Sequence, residues 1–153
     1  MPDTQYMSQE RLDELVEEME HRKTSVRKEV GDALEHAKQL GDLSENFEYH
    51  DAKERQAENE KRIAELHAIV MNAQIVKKRQ GGTSIEIGAT FHAQKEGKEF
   101  IFTLVGSNEA NPVEGKISNE SPIGTAFLGA SVGDHVTVNT PSGAVQYTVT
   151  SIE

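Results

Sequence analysis

Apolar residues in the first half of the chain recur at helical spacing. Leu12, Met19, Val26, Ala33 and Leu40 follow one another every seven residues, and Val16, Val30 and Ala37 form a companion series interrupted by Lys23. That is the seam of a coiled coil. Residues 8–40 contain no Pro, and their single Gly is Gly31, so the pattern predicts one long helix capped by Ser8. A second seam runs through Ala52, Gln56, Asn59, Ile63, Leu66, Val70 and Ala73 in alternating steps of four and three. Gly41 to Ser44 alone separate the two patterns, and so short a link makes the helices antiparallel neighbours. At ~1.5 Å per residue the arms reach on the order of 50 Å, more than the core of a small domain needs. Gln56 and Asn59 are polar seam positions on the half nearer the turn. Such residues fix register at a cost in stability, or else leave the tip loose enough to adapt on docking.

The second half changes period. Residues 85–87, 99–105, 135–140 and 144–152 alternate apolar and polar positions, which predicts an antiparallel sheet. Pro141-Ser142-Gly143 is a hairpin turn between the last two strands. Ser121-Pro122 is the N-cap and first residue of a short helix that packs Ile123, Phe127 and Leu128 on the sheet. Gln80-Gly81-Gly82-Thr83, following the basic run Lys77-Lys78-Arg79, marks the switch. The expected fold is α+β, with an antiparallel coiled-coil hairpin over 1–79, its tip at 41–50, and a sheet domain over 80–153.

Charge narrows the possible partners. The net charge is −10, of which residues 1–76 carry −8 (10 Lys and Arg against 18 Asp and Glu) and residues 77–153 carry −2. A chain so acidic does not coat duplex DNA by neutralising phosphates, so any nucleic-acid contact is local. There is no Cys, which removes disulfides and thiolate chemistry and fits a reducing compartment. No stretch approaches the ~20 apolar residues of a membrane span, and Met1 to Glu10 lacks the apolar core of a signal peptide. A cytoplasmic protein with no membrane contact is expected. Aromatic residues make up 5% of the chain and Trp is absent, too little to line a large aromatic ligand pocket.

The candidate chemistry sits at the tip, Gly41-Asp42-Leu43-Ser44-Glu45-Asn46-Phe47-Glu48-Tyr49-His50. Gly41 can end the first helix in a left-handed conformation. By spacing alone, Asp42 is a good N-cap for the second helix and Glu45 completes a capping box, a structural role for both carboxylates. Glu48 favours the positive helix N-terminus. Tyr49 and His50 have the chemistry of an orienter and a base, though packing and local hydrogen bonding suit them better. The other histidines, His21, His36, His67, His92 and His135, show no metal-ligand spacing.

This tip, continued by Asp51-Ala52-Lys53-Glu54, closely resembles the tip segment of the GreA/GreB transcript-cleavage factors, a G-D-L-x-E-N-x-E-Y-x-x-A-[KR] pattern. Ser121-Pro122-Ile123-Gly124, Leu128-Gly129, Val132-Gly133-Asp134 and Thr140-Pro141-Ser142-Gly143 are similar to that family's second-half signature. The likeness spans nearly the whole chain, and a hairpin that is not strongly basic favours the GreA type. The resemblance implies an FKBP-like second domain that docks on the polymerase, and a monomeric factor whose hairpin enters the secondary channel of bacterial RNA polymerase. There it is not itself a nuclease. It implies that Asp42 and Glu45 help the polymerase hold a shared Mg²⁺ and so assist hydrolysis of nascent RNA near its 3′ end in backtracked complexes. It also implies RNA or polymerase contacts at Lys38, Lys53, Ser44, Asn46 and Tyr49. Two exposed carboxylates alone are a poor Mg²⁺ site, since the ion wants six oxygens in near-octahedral array. Ser44 departs from the charged residue often found there.

Arg55, Lys61 and Arg62 are interspersed with Glu54, Glu58, Glu60 and Glu65, as on a solvated helix face with paired charges. Two other functions share the scaffold: a Gre-like inhibitor that occupies the channel without restoring cleavage, and a coiled-coil chaperone or prolyl isomerase. The first would differ at the tip, where Asp42 and Glu45 both stand in the active pattern. The second would have an apolar tip and a deep aromatic bowl, whereas this half has only Phe91, Phe100, Phe102, Phe127 and Tyr147, several of them placed to serve as core.

Overall fold

The computed structural model describes residues 3–42, 44–77 and 82–153. These form two compact units, Leu12–Asn72 and a second made of Met1–Arg11 together with Ala73–Glu153. The expected boundary at 79/80 lies outside the described residues. The first eleven residues belong with the sheet unit because a short strand, β1 (Gln5–Met7), pairs in parallel with β2 (Ala73–Ile75), and Met7 is fully buried there. Ser8 caps the first helix as its sequence predicts, its hydroxyl accepting from the Arg11 amide at 3.2 Å. The Ser8 hydroxyl and amide both donate to the Glu109 carboxylate, at 2.6 and 3.0 Å.

In the helical unit, α1 (Gln9–His21) passes through a π-helical segment, Arg22–Val26, into α2 (Arg27–Lys38), and α3 (Phe47–Met71) returns alongside. The seam on α3 follows the sequence closely. Ala52, Asn59, Ile63 and Leu66 are buried and Gln56 and Val70 half-buried, while Ala73 lies past the helix in β2. The seam on the first helix needs correction. Leu15 and Leu34 take buried positions, while Val16 and Leu40 are exposed.

Leu40 lies past the end of α2, and the π segment is the cause of the shift from Val16 to Leu15. Before it the companion series follows the first by three residues, Leu12 to Leu15; after it the step is four, Val26 to Val30. A π turn inserts one residue, so the inward face slips by one. Arg27 N–H donates to the Arg22 carbonyl in the wide π ring, and the Thr24 hydroxyl donates to the Glu20 carbonyl at 2.7 Å. Asn59, 4% exposed, faces this segment. Its amide donates to the Arg22 carbonyl at 3.1 Å and its oxygen accepts from the Arg22 guanidinium at 3.2 Å. A polar seam residue so fully paired sets register, since any slip would strand its buried amide.

The second unit centres on a five-stranded sheet in the order β5-β4-β3-β7-β6. Its strands are β3 (Thr90–Lys95), β4 (Lys98–Val105), β5 (Lys116–Ser118), β6 (His135–Thr140) and β7 (Gly143–Ile152). The sheet is mixed rather than wholly antiparallel, because β5 runs parallel to β4. β3 and β4 form a hairpin turned by Glu96 and Gly97, at φ 51° and 78°, the positive values that a two-residue turn of this hand demands. The expected strand at 85–87 is absent. Ile85 instead plugs the core, its amide donating to the Ala130 carbonyl and its carbonyl accepting from Gly129.

Ser121 caps α4 (Pro122–Phe127) through the Gly124 amide, as predicted. Phe127 is fully buried and Ile123 packs on the core, but Leu128 is exposed. Gly124 permits this packing: a Cβ there would strike the Ser118 carbonyl of β5. Phe91 and Phe127 pack at 4.8 Å between centroids, with Phe102 and Tyr147 against them, so these four rings join the core, while Phe100 is exposed. Hairpin and mixed curled sheet together are an α+β architecture.

Candidate functional site: the hairpin tip

The chain between α2 and α3 is short, polar and exposed. α2 ends at Lys38, and Gly41, at φ 131°, turns the chain in a conformation that side-chain-bearing residues rarely adopt. One oxygen of Asp42, Oδ1, accepts from both the Ser44 amide and the Ser44 hydroxyl, each at 3.0 Å. These two bonds, the amide first, hold the Asp42 carboxyl below its ordinary range and keep it ionised. Its second oxygen has no hydrogen bond to a described residue. Glu45 is exposed and has neither hydrogen bond nor ion pair to another described residue.

Neither carboxylate caps α3. The cap is Asn46, whose Oδ1 accepts from the Tyr49 amide at 3.0 Å while its Nδ2 donates to the Ala37 carbonyl at 2.6 Å. This corrects the capping box expected from Asp42 and Glu45. The tip needs one side chain that accepts from the new helix and donates to the old one, and an amide does both where an ionised carboxylate only accepts. With the cap at Asn46, Asp42 and Glu45 are left to solvent. The sequence carries a signal for this cap, an Asn directly before the helical run that opens with Phe47, beside the competing D-x-x-E spacing.

Tyr49 is half-buried and packs on Val30, Leu34 and Ala52, so its ring braces the hairpin end. His50 lies edge-on to it at 5.7 Å, and its Nε2 is 3.3 Å from the Ser44 carbonyl. The Lys53 ammonium sits 6.0 Å from the Tyr49 ring centre, within cation–π range. Lys38 is exposed on the other strand of the tip, and Glu48 is exposed in the first turn of α3. Farther back the cations are spoken for: Arg55 pairs with Glu29 at 3.3 Å, Arg27 with Glu60 through two bonds of 2.8 and 2.9 Å, and Arg62 with Glu18 and Glu65. Lys61 is exposed. Among the described residues no group of three or more His, Cys, Asp or Glu is arranged to hold a metal. Asp42 and Glu45 nevertheless offer hard oxygen donors of the kind Mg²⁺ takes.

The chain is thus of the class that joins a two-helix hairpin, here with two exposed carboxylates at its turn, to an α+β sheet unit. The comparisons with known proteins give the family. The N-terminal transcription elongation factor family of GreA and GreB matches residues 5–75, and the C-terminal transcription elongation factor GreA/GreB family matches residues 80–153. The transcription elongation factor GreA of Chloroflexus aggregans is 44% identical over 150 residues, covering 96% of each chain. That of Bacillus licheniformis is 46% identical over 141 residues, covering 90% of this chain and 89% of its own. The chain belongs to the GreA/GreB transcription elongation factor family. A solved structure of GreA factor homolog 1 from Thermus thermophilus is 26% identical and covers 99% of both chains, with a TM-score of 0.43, too low to carry a structural argument.

Proposed function

We propose that this chain is a transcription elongation factor of the GreA type that binds bacterial RNA polymerase through its secondary channel and stimulates the polymerase's own cleavage of nascent RNA in backtracked or arrested complexes. It acts in the cytoplasm, as a monomer, and is an accessory rather than a nuclease. The observation that carries this reading is the pair of exposed carboxylates at the hairpin turn, with capping delegated to Asn46. No helix among the described residues is long and apolar enough to cross a membrane.

Asp42 and Glu45 are the residues that would hold Mg²⁺, jointly with carboxylates of the polymerase. The ion, when bound, supplies the charge that lowers the pKa of water and stabilises a leaving oxygen. Ser44 orients Asp42 by occupying Oδ1, so that Oδ2 faces outward as the donor. Lys38 and Lys53 offset the repulsion between the acidic tip and the phosphates of the RNA 3′ end. Tyr49 and Asn46 keep the turn rigid, which holds the carboxylates in place before docking.

The test is a cleavage assay on stalled elongation complexes with Mg²⁺, comparing wild type with Asp42→Asn and Glu45→Gln. Each variant is expected to bind polymerase as wild type does and to lose cleavage stimulation by about a hundredfold or more, the scale for removing one preorganised electrostatic group. Unchanged cleavage in both variants sinks the role given to the carboxylates. Hydrolysis of RNA by the factor alone would overturn its assignment as an accessory.

A further inference from the structure

Phe47 is the first residue of α3 and is 84% exposed. It makes no ring contact with another described residue, although the tip contains a second aromatic only two positions away. Residues two apart on a helix point about 200° from each other, so the helix that turns Tyr49 onto Val30, Leu34 and Ala52 turns Phe47 into solvent. Tyr49 is committed to the hairpin core; Phe47 has no structural employment. Asn46 fixes the backbone at the start of its helix, so the ring is presented from a rigid base.

We propose that Phe47 is a stacking platform for an unpaired RNA base near the 3′ end, a positioning residue for the reaction that Asp42 and Glu45 assist. The inference rests on the function proposed above. Three observations carry it. The ring is bare, as a base needs and as a packed core aromatic never is. Its Cα lies at most about 7 Å from that of Glu45, two residues at full extension. A nucleotide whose phosphate meets the carboxylate-held site therefore has its base within reach of the ring. Finally, the described residues Ser44, Glu45, Asn46, Glu48, His50 and Asp51 on either side of it in the chain are polar, so the bare ring stands in a polar stretch rather than in an apolar run. An aromatic face takes any base, so the platform would act without sequence preference.

The experiment uses stalled complexes of bacterial RNA polymerase whose RNA carries 2-aminopurine at its 3′-terminal nucleotides, with factor binding, fluorescence and cleavage each measured. Wild type is expected to quench the 2-aminopurine by stacking. Phe47→Ala is expected to bind polymerase normally, to lose the quenching, and to lower cleavage stimulation by about tenfold, the loss for one base–aromatic stack. Phe47→Tyr is expected to restore both. Asp42→Asn should keep the quenching while losing cleavage, which separates positioning from metal chemistry. Absence of quenching with wild type, or quenching unaffected by Phe47→Ala, overturns the proposal. So does rescue by Phe47→Leu as complete as by Phe47→Tyr, or a loss of polymerase binding in Phe47→Ala, since either would mark an apolar contact with protein. If wild type stacks the base but stimulates no cleavage, the cleavage function fails and the stacking assignment stands.

Discussion

One amide decides how the tip is built. Asp42 and Asn46 are both good helix caps by type, yet only Asn46 can bond to the Tyr49 amide and the Ala37 carbonyl at once. That double engagement clamps the end of α2 to the start of α3 and releases Asp42 and Glu45. Asn46→Ala is therefore expected to lower stability by about 1 kcal/mol for the cap and about another 1 kcal/mol for the clamp. Asn46→Asp keeps the acceptor and loses the donor, so it should recover only the first part. Urea unfolding followed by helical circular dichroism measures both; no loss in Asn46→Asp would show that the clamp contributes nothing, and equal losses in the two variants that the cap contributes nothing. The same local logic explains Phe47 and Tyr49: aromatic residues two positions apart acquire opposite fates from the roughly 200° that separates them on the helix.

At the level of elements, the hairpin is held by a polar girdle around its π segment as well as by its seam. Glu18 accepts from Arg62 at 2.9 and 3.2 Å and from Arg22 at 3.0 Å, and Arg22 in turn reaches Asn59. The Arg62 guanidinium above all, opposed by partial burial and helped by Arg22, brings the Glu18 carboxyl from 4.5 down to about 2. A carboxylate with a lowered folded pKa adds stability that is complete above its unfolded value and is lost as pH falls through the folded one. The hairpin should accordingly lose stability progressively from pH 4.5 towards about 2, and Glu18→Gln should remove most of that slope while lowering stability at neutral pH. Urea midpoints across this range check it; an unchanged slope in Glu18→Gln would assign the acid sensitivity to other carboxylates. Arg62 and Arg55, interspersed with glutamates in the sequence, are used in this scaffold and not at the tip.

Across the whole molecule the two units respond to pH in opposite senses. In the sheet unit His92 lies between Glu99 at 2.9 Å and Glu153 at 3.2 Å, tying β3 to β4 and to the chain's last residue. Glu153 first and then Glu99 raise the His92 pKa above 6.5. A raised histidine adds stability that is complete below its unfolded value and is lost as pH rises through the folded one. The sheet unit should thus be more stable at pH 6 than at pH 9, the reverse of the hairpin's trend at its own, acid end. Imidazole titration by NMR should place His92 above the ordinary histidine range, and Glu153→Gln should bring it down. A His92 that titrates at 6.5 in both proteins would show that the clamp is open in solution.

The sequence by itself determined the period of each half, and with it the hairpin, the short acidic turn, the presence of a sheet in the second half and the caps at Ser8 and Ser121, because these depend on spacing and on bonds between near neighbours. It also placed Asp42 and Glu45 at the tip, and the α3 seam, Ala52 to Leu66, was legible residue by residue. Tertiary structure alone decided the rest. The one-residue slip at Arg22–Val26 buries Leu15 in place of Val16, and it is tied to an Asn59 that sits 37 residues away. Likewise β5 joins β4 in parallel, β1 pairs with β2 across most of the hairpin's length of chain, and Ile85 leaves its alternating pattern to fill the core under Ala130. Each of these is a bargain between distant groups over which buried polar atom finds a partner and which apolar side chain fills a space. Spacing along one chain carries no record of it. The release of the tip carboxylates belongs to that second kind, for it follows from a bond between Asn46 and a carbonyl on the opposite helix.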